Sequence, residues 1–409
     1  MTTYKNISTY KKNKKNKTRK KIHRFYQLPN LTPEHINDVS NLIFKELQQG
    51  LSQDLSQGLS QGLSQGLPHL VDSLEIEGSY SPTVNRELVM LQSISREQVA
   101  DCNNEKAFNL KEPLLIKIPG KNCIPYYETD AIKFLLKNLS ANKHIKINKI
   151  VPPVQIQSNC WFNTMFVTLF VSDKGRKFFH FFRQLMIEGI QSNGKSIPTD
   201  IRNAFALLNY AIEACLTGNK YAYILDTNSI IRNIYKNIPD SYKKKLPYIR
   251  NVDEAGNPIR YYDSLIYYLD NKSIQIAFIE NTNEKWKEKV TSQILNIPHL
   301  PHIIILEFYD GQNKIIKSKE IMVEKAKYLL DSCVIRDTTH QHFSANLTCD
   351  KKEVAYDGMS FHRLVPLNWK TYINTDFSWG FEGSNNSNGT PLKWNFTKSY
   401  QMLIYYRVK

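Results

Sequence analysis

Cysteine is scarce and dispersed in this chain, with six residues in 409, at positions 102, 123, 160, 215, 333 and 349. No two have C-x-x-C spacing, which argues against a zinc knuckle and against a redox dithiol. His-Glu-x-x-His, a Walker-type glycine loop and clustered metal ligands are all missing. Metallohydrolysis and phosphoryl transfer therefore lack support, and no cofactor or metal is expected. No apolar run approaches the length that crosses a bilayer, and no apolar segment of the secretory kind follows the basic N-terminus. The expectation is an intracellular, reducing setting with free thiols, no disulfide scaffold and no membrane partner.

Acid is absent from residues 1–24, which hold ten Lys/Arg. Because the whole chain carries +16, residues 25–409 are only mildly basic, at +6. The Asn/Lys-rich stretch 1–28 shows no apolar period and is predicted to be a disordered tail. It suits a nuclear address or a nucleic-acid anchor, and equally a solvated tail. Thr32-Pro33-Glu34 then reads as an N-cap with proline at the first helical position, predicting a helix to about Leu47. Leu51-Ser52-Gln53-Asp54 and its repeats at 55–58, 59–62 and 63–66 follow. Their three glycines, each costing about 1 kcal/mol against alanine in a helix, point to a flexible linker. Residues 29–110 are thus a helical and low-complexity region, its last part, 68–110, a polar connector.

From 111 to 409 the pattern is that of a globular domain, and 41% hydrophobic residues with 23 tyrosines and 19 phenylalanines allow a sizeable core. A short strand is predicted at Leu114–Ile118, with helices at Asp130–Leu139, Trp161–Val171, Lys177–Ile187 and Thr199–Leu216. The middle two are separate, or one helix broken near Gly175. Strands follow at Ile303–Phe308, Phe343–Cys349, Val354–Tyr356 and Gln401–Val408. Helices first and strands later is an α+β order.

Cys160 opens the apolar helix 161–171. A thiol in a first helical turn meets unpaired N–H groups and the positive end of the macrodipole, which favour the thiolate. A cysteine is also a small hydrophobe that fits any interior. A nucleophilic cysteine needs a base, a group that orients the base, and donors for an oxyanion. In His342-Phe343-Ser344-Ala345-Asn346-Leu347-Thr348-Cys349, strand alternation places His342, Ser344, Asn346 and Thr348 on a polar face opposite the core. A turn at Asp350-Lys351-Lys352-Glu353, centred near 351–352, would set residues 360–361 across from His342. Asp357 would then need a bulge or a shifted register to orient the imidazole. His340 is the rival base. The chain order Cys…His…Asp is the papain-like order.

Five short segments resemble the ubiquitin-specific proteases. Asn159-Cys160-Trp161-Phe162-Asn163 is similar to the family's G-N-T-C-Y-M-N box. Leu300-Pro301-His302-Ile303-Ile304-Ile305-Leu306-Glu307-Phe308 resembles its L-P-x-x-L-x-x-x-L-x-R-F strand. His342-Phe343-Ser344-Ala345 resembles H-Y-x-A, and Tyr356-Asp357 its aromatic residue followed by Asp. Tyr400-Gln401-Met402-Leu403-Ile404-Tyr405-Tyr406-Arg407 is similar to A-Y-M-L-F-Y. The matches are in family order over 157–408. The resemblance implies a papain-like α+β fold and a thiol peptidase that cleaves at the C-terminus of ubiquitin or a ubiquitin-like modifier. Cys160 would be the nucleophile, His342 the base and Asp357 its orienting carboxylate.

Several positions depart from the pattern. Gln157 stands for the family glycine, Asn159 for its threonine, and Gln155 where the oxyanion asparagine is usual. A glutamine amide donates the same hydrogen bond, so Gln155 or Gln157 is the candidate oxyanion residue. The family's zinc fingers are absent, and an insertion around Trp379–Gly389 precedes the last strand. These departures keep a non-catalytic virion or scaffold protein with a nucleic-acid-binding tail open, as well as a protease for viral precursors. The Lys/Asn/Ile-rich composition fits an AT-rich genome such as that of a large DNA virus, which would place the protein in host cytoplasm, nucleus or virion.

Overall fold

The computed structural model describes residues 102, 104 and 107–409, except 110, 111, 141–144, 224, 246, 247, 253, 255, 270–273, 281–283, 297, 298, 311–314 and 341. The basic tail, the helix from Thr32 and the Leu-Ser-Gln repeats lie outside the described residues.

A hairpin of β1 (Leu115–Lys117) and β2 (Cys123–Pro125) leads into a helical half. Its helices are α1 (Thr129–Ser140), α2 (Cys160–Phe170), α3 (Asp173–Phe178), α4 (His180–Glu188), α5 (Thr199–Thr217), α6 (Thr227–Asn237), α7 (Asp240–Lys245) and α8 (Pro258–Leu269). After β3 (Ile276–Ile279) and α9 (Trp286–Leu295) strands dominate: β4 (Ile303–Phe308), β5 (Glu320–Val323), β6 (Ala326–Arg336), β7 (Phe343–Cys349), β8 (Lys352–Tyr356) and β9 (Leu364–Pro366). Helix α10 (Trp369–Tyr372), a small ladder of β10 (Ser378–Trp379) with β11 (Trp394–Asn395), and β12 (Gln401–Arg407) complete the chain. The main sheet runs β3-β4-β12-β6-β7-β8-β9, with β5 on β6. The architecture is α+β, as the order of predicted elements implied.

Helix α2 is the hinge of the arrangement. Apolar residues cover most of its circumference, the pattern of a helix buried on nearly every side. Every residue from Trp161 to Phe170 is indeed buried. The helix lies between β7 and α8. The Tyr262 hydroxyl donates to Phe162 O at 3.4 Å, and the Tyr261 ring meets Trp161 edge-on with centroids 4.9 Å apart. The paired tyrosines of α8 are therefore packing residues.

Chain breaks fall where capping chemistry puts them. Ser172 accepts from the Gly175 N–H at 3.1 Å and starts α3, and the segment divides again at Phe179. Gly175, expected as a breaker, lies inside α3. A Cβ there would collide with the Thr168 carbonyl, so this glycine permits close packing.

Two expectations fail for tertiary reasons. The sheet is covered on both faces: Ala345, Leu347 and Cys349 join the core under the helices, while Cys333, Ile335 and Ala355 join a second core with Trp369 and Trp394. The supposed polar surface of β7 is thus interior, and Ser344 and Asn346 are fully buried. Free thiols were also expected throughout, yet Cys102 and Cys123 form a disulfide. Asn104 creates the proximity by clamping β1, donating to Leu115 O at 2.9 Å and accepting from its N–H at 2.8 Å. Phe108 packs edge-on against Tyr221 at 5.2 Å. The packed body accordingly reaches back to Cys102, into the stretch read as connector.

Candidate active site

Cys160 is the first residue of α2, and Asn159 before it is the N-cap, but the Asn159 side chain does not cap. Its amide donates to Thr227 Oγ1 at 2.9 Å and its oxygen accepts from Asn163 at 3.2 Å, while Thr227 donates to Asn163 Oδ1 at 2.8 Å. This buried network pins α2 to α6. The Phe162 and Asn163 N–H groups donate to Asn159 O at 3.1 and 3.0 Å, which leaves the Cys160 N–H at the helix tip to whatever approaches the thiol. Cys160 is partly exposed, whereas the other free cysteines, Cys215, Cys333 and Cys349, are buried. Burial raises those three thiols, Cys349 to about 12.

His342 is set by the loop between β6 and β7. The Asp337 carboxylate accepts from the His342 N–H at 2.6 Å and from the Thr339 N–H at 2.7 Å. Asp350 and Lys351, at φ 50° and 61°, close the β7–β8 hairpin with both central residues left-handed, as in a type I′ turn. The ladder pairs Ala345 with Tyr356 and Cys349 with Lys352, so the turn is centred one residue earlier than expected. Continued one step, this register sets Asp357 opposite Ser344 and diagonal to His342. No bulge is needed, since diagonal neighbours are within side-chain reach.

His342 Nε2 lies 2.6 Å from Asp357 Oδ1. The other ring nitrogen, Nδ1, is not engaged by Asp357, and Cys160 is near enough to act on the imidazole electrostatically. His342 is only 4% exposed. Burial pulls its pKa down, but the influence of Asp357 and Cys160 outweighs that and raises it to about 10. His340 stands elsewhere: it is exposed, with Nδ1 at 3.1 Å from Asp310. The structure therefore brings His342, and not His340, to Cys160.

The loop before Cys160 docks on the end of β8. The Tyr356 hydroxyl donates to Pro153 O at 2.7 Å, Gln155 N–H to Gly358 O at 2.9 Å, and Asn228 to Ile156 O at 2.6 Å. A Cβ on Gly358 would press on Gln155 and on the Tyr356 hydroxyl, so a side chain there would push the loop away. Gln155 thus stands beside Asp357, but its amide is folded back onto Gln157 O at 3.1 Å and its Oε1 is buried without a partner. Gln157, at φ 63°, is turned to Arg232, which donates to its Oε1 at 3.0 Å. Neither glutamine amide is aimed at the sulfur in this conformation.

Sequence reasoning missed several groups that hold the imidazole and carboxylate. Ser384 donates to Asp357 Oδ2, and the Met359 N–H donates to Oδ1 at 3.2 Å. The Trp394 ring meets His342 edge-on, centroids 5.9 Å apart. Ser384 lies in the stretch that read as an insertion and Trp394 just after it, and nothing in the local sequence marks them. Among the described residues no group of three or more His, Cys, Asp or Glu could hold a metal ion, and no helix is long and apolar enough to cross a membrane.

No family model and no curated protein matches the chain. Solved structures match at low similarity. The SAGA Ubp8/Sgf11/Sus1/Sgf73 DUB module bound to ubiquitin aldehyde is 7% identical, covers 72% of this chain and 79% of its own, and has a TM-score of 0.39. A further structure of the SAGA Ubp8/Sgf11/Sus1/Sgf73 DUB module is 8% identical over 72% and 77%, with a TM-score of 0.32. An essential yeast splicing factor is 9% identical over 72% and 83%, with a TM-score of 0.37. At TM-scores this low the likeness carries no argument about function.

Proposed function

We propose that this protein is a cysteine peptidase of papain-like architecture that cleaves the bond after the C-terminus of ubiquitin or a ubiquitin-like modifier. The observation that supports the chemistry best is the convergence of Cys160, His342 and Asp357 from three distant segments, with His342 Nε2 at 2.6 Å from Asp357 Oδ1 and Cys160 acting on the same imidazole. The ordered resemblance to ubiquitin-specific proteases supports the substrate class. In this reading His342 takes the thiol proton and Cys160 attacks the modifier's terminal carbonyl as thiolate. The Cys160 N–H, joined by Gln155 once its amide swings off Gln157 O, meets the oxyanion. Collapse expels the lysine amine, which leaves with the proton from His342. His342 then deprotonates water, which opens the thioester and releases the modifier's carboxylate. Asp357 holds the imidazole tautomer and balances its charge.

The folded-back Gln155 amide favours a second reading, a protease fold that has lost activity and serves as a scaffold. One experiment separates the two. The full chain is mixed with ubiquitin, and with ubiquitin-like modifiers, bearing a C-terminal alkyne electrophile, and adducts are weighed. The first reading expects one adduct, absent in Cys160→Ala and slowed about a thousandfold or more in His342→Ala. An adduct on Cys160→Ala refutes the nucleophile. Folded wild type that takes no probe, with Cys160 alkylated no faster than a free thiol, supports the scaffold reading.

A further inference from the structure

At the far ends of the two elements that carry Cys160 and His342 lies a cavity of about 700 Å³. That volume falls within the roughly 300–1,000 Å³ of small-molecule sites. Seven Lys/Arg but only three Asp line it, contributed by α3, β6, the β7–β8 turn, α10 and the residues after β12. Asp173 is already engaged: its oxygens accept from the Asp350 and Lys351 N–H groups at 2.9 Å each, and from Arg176 at 3.2 Å. Lys174 and Lys351 have no hydrogen-bonded side-chain partner among the described residues, while Lys370 donates to Thr348 at 2.8 Å on the same wall. Cations drawn together from separate elements repel one another unless an anion sits among them.

The third carboxylate is of another kind. Asp331 is the extra residue of a bulge, since Ile404 pairs with Ser332 and Tyr405 with Leu330. Bulges of this sort re-aim a side chain. Asp331 is fully buried against the cavity, and its Oδ2 has no hydrogen-bond partner. The neighbouring Ser172 hydroxyl gives its single proton to Thr168 O at 2.7 Å. A buried carboxylate oxygen without a donor is costly, and a ligand hydroxyl would satisfy it.

We infer that this cavity binds a phosphorylated polyol, its phosphates on Lys174, Lys351 and Lys370 and a free hydroxyl donating to Asp331. A concavity of this size takes a compact polyanion, whereas a nucleic-acid backbone needs an extended basic stripe. The same chemistry is available from a soluble inositol phosphate or from a phosphoinositide headgroup.

The inference is tested by calorimetric titration of the full chain with inositol 1,4,5-trisphosphate and with inorganic tripolyphosphate, in wild type and in K174Q/K351Q. Both substitutions are on exposed or half-buried lysines. Each lost charge-assisted contact is expected to weaken the trisphosphate by about tenfold. Amide exchange should slow at 173–177 and 350–351 on binding. Vesicles of phosphatidylcholine with and without phosphatidylinositol bisphosphate decide the source: co-sedimentation lost in the double variant assigns the headgroup, and soluble binding without it assigns the free phosphate. Binding unchanged in K174Q/K351Q would mean that the basic tail holds the anion and would overturn the site. Tripolyphosphate binding as tightly as the trisphosphate would overturn the role of Asp331. Absence of binding by either anion would overturn both.

Discussion

His342 is a buried imidazole with one ring nitrogen 2.6 Å from the Asp357 carboxylate and Cys160 close by. Its pKa, ordinarily 6.5, is pulled down by burial and lifted further by Asp357 and Cys160, to about 10. An imidazole whose pKa is higher folded than unfolded holds its proton more tightly in the native state. Its contribution to stability is therefore complete below pH 6.5 and is lost as pH climbs through about 10. Buried Lys317, lowered by desolvation to about 8, works in the opposite sense over part of that range. The readout must be a difference. The stability gap between wild type and His342→Gln in urea titrations should shrink steadily from pH 6.5 to 10, and a gap flat with pH would show that the imidazole is not held as described. The Cys and His boxes could be read from local sequence because their residues are contiguous. Ser384, Met359 and Trp394 could not, since each reaches the site through folding of a distant loop.

At the scale of elements, the site depends on how α2 meets α6 and how β7 meets β8. Asn159, Asn163 and Thr227 exchange hydrogen bonds in a buried cluster, and Thr227 supplies both a donor and an acceptor. Thr227→Val keeps the shape but strands an amide donor and a carbonyl acceptor, each worth about 1–3 kcal/mol when left unsatisfied in an interior. Chemical denaturation should show a loss in that range, with Thr227→Ser recovering most of it; a neutral valine would mean that the cluster is wet. The boundaries of β4, β7 and α5 came close to expectation because each has a clean apolar period. Strand β6, the longest in the sheet, went unread. Lys327, Asp331, Ser332 and Arg336 interrupt its pattern, and the bulge at Asp331 shifts which face each residue takes.

The whole molecule combines one accessible thiol with a covalent tie near its N-terminal edge. Cysteines 102 and 123 close a loop with a sequence separation of 21, which on chain-entropy grounds stabilises the fold by about 3 kcal/mol. Four cysteines remain free, three of them buried. Alkylation followed by mass spectrometry should therefore modify Cys160 alone in the native protein. Four residues should react after unfolding without reductant, and all six after reduction. Six modified thiols in the unreduced, unfolded chain would eliminate the bridge. Spacing could not foretell it, because the two sulfurs meet through the Asn104 clamp on β1.

What this sequence determined alone is whatever depends on near neighbours along the chain. That covers the apolar helix with a thiol at its tip, the alternation that makes β7 a strand, the α+β order and the boxes around Cys160, His342 and Asp357. Tertiary structure decided the rest, because contact across a fold depends on register, on bulges and on what covers each face. It set His342, and not His340, against Asp357 as a diagonal neighbour without any bulge, and turned an apparently polar strand face into interior. It also joined two distant cysteines and gathered lysines from separate elements around a buried aspartate.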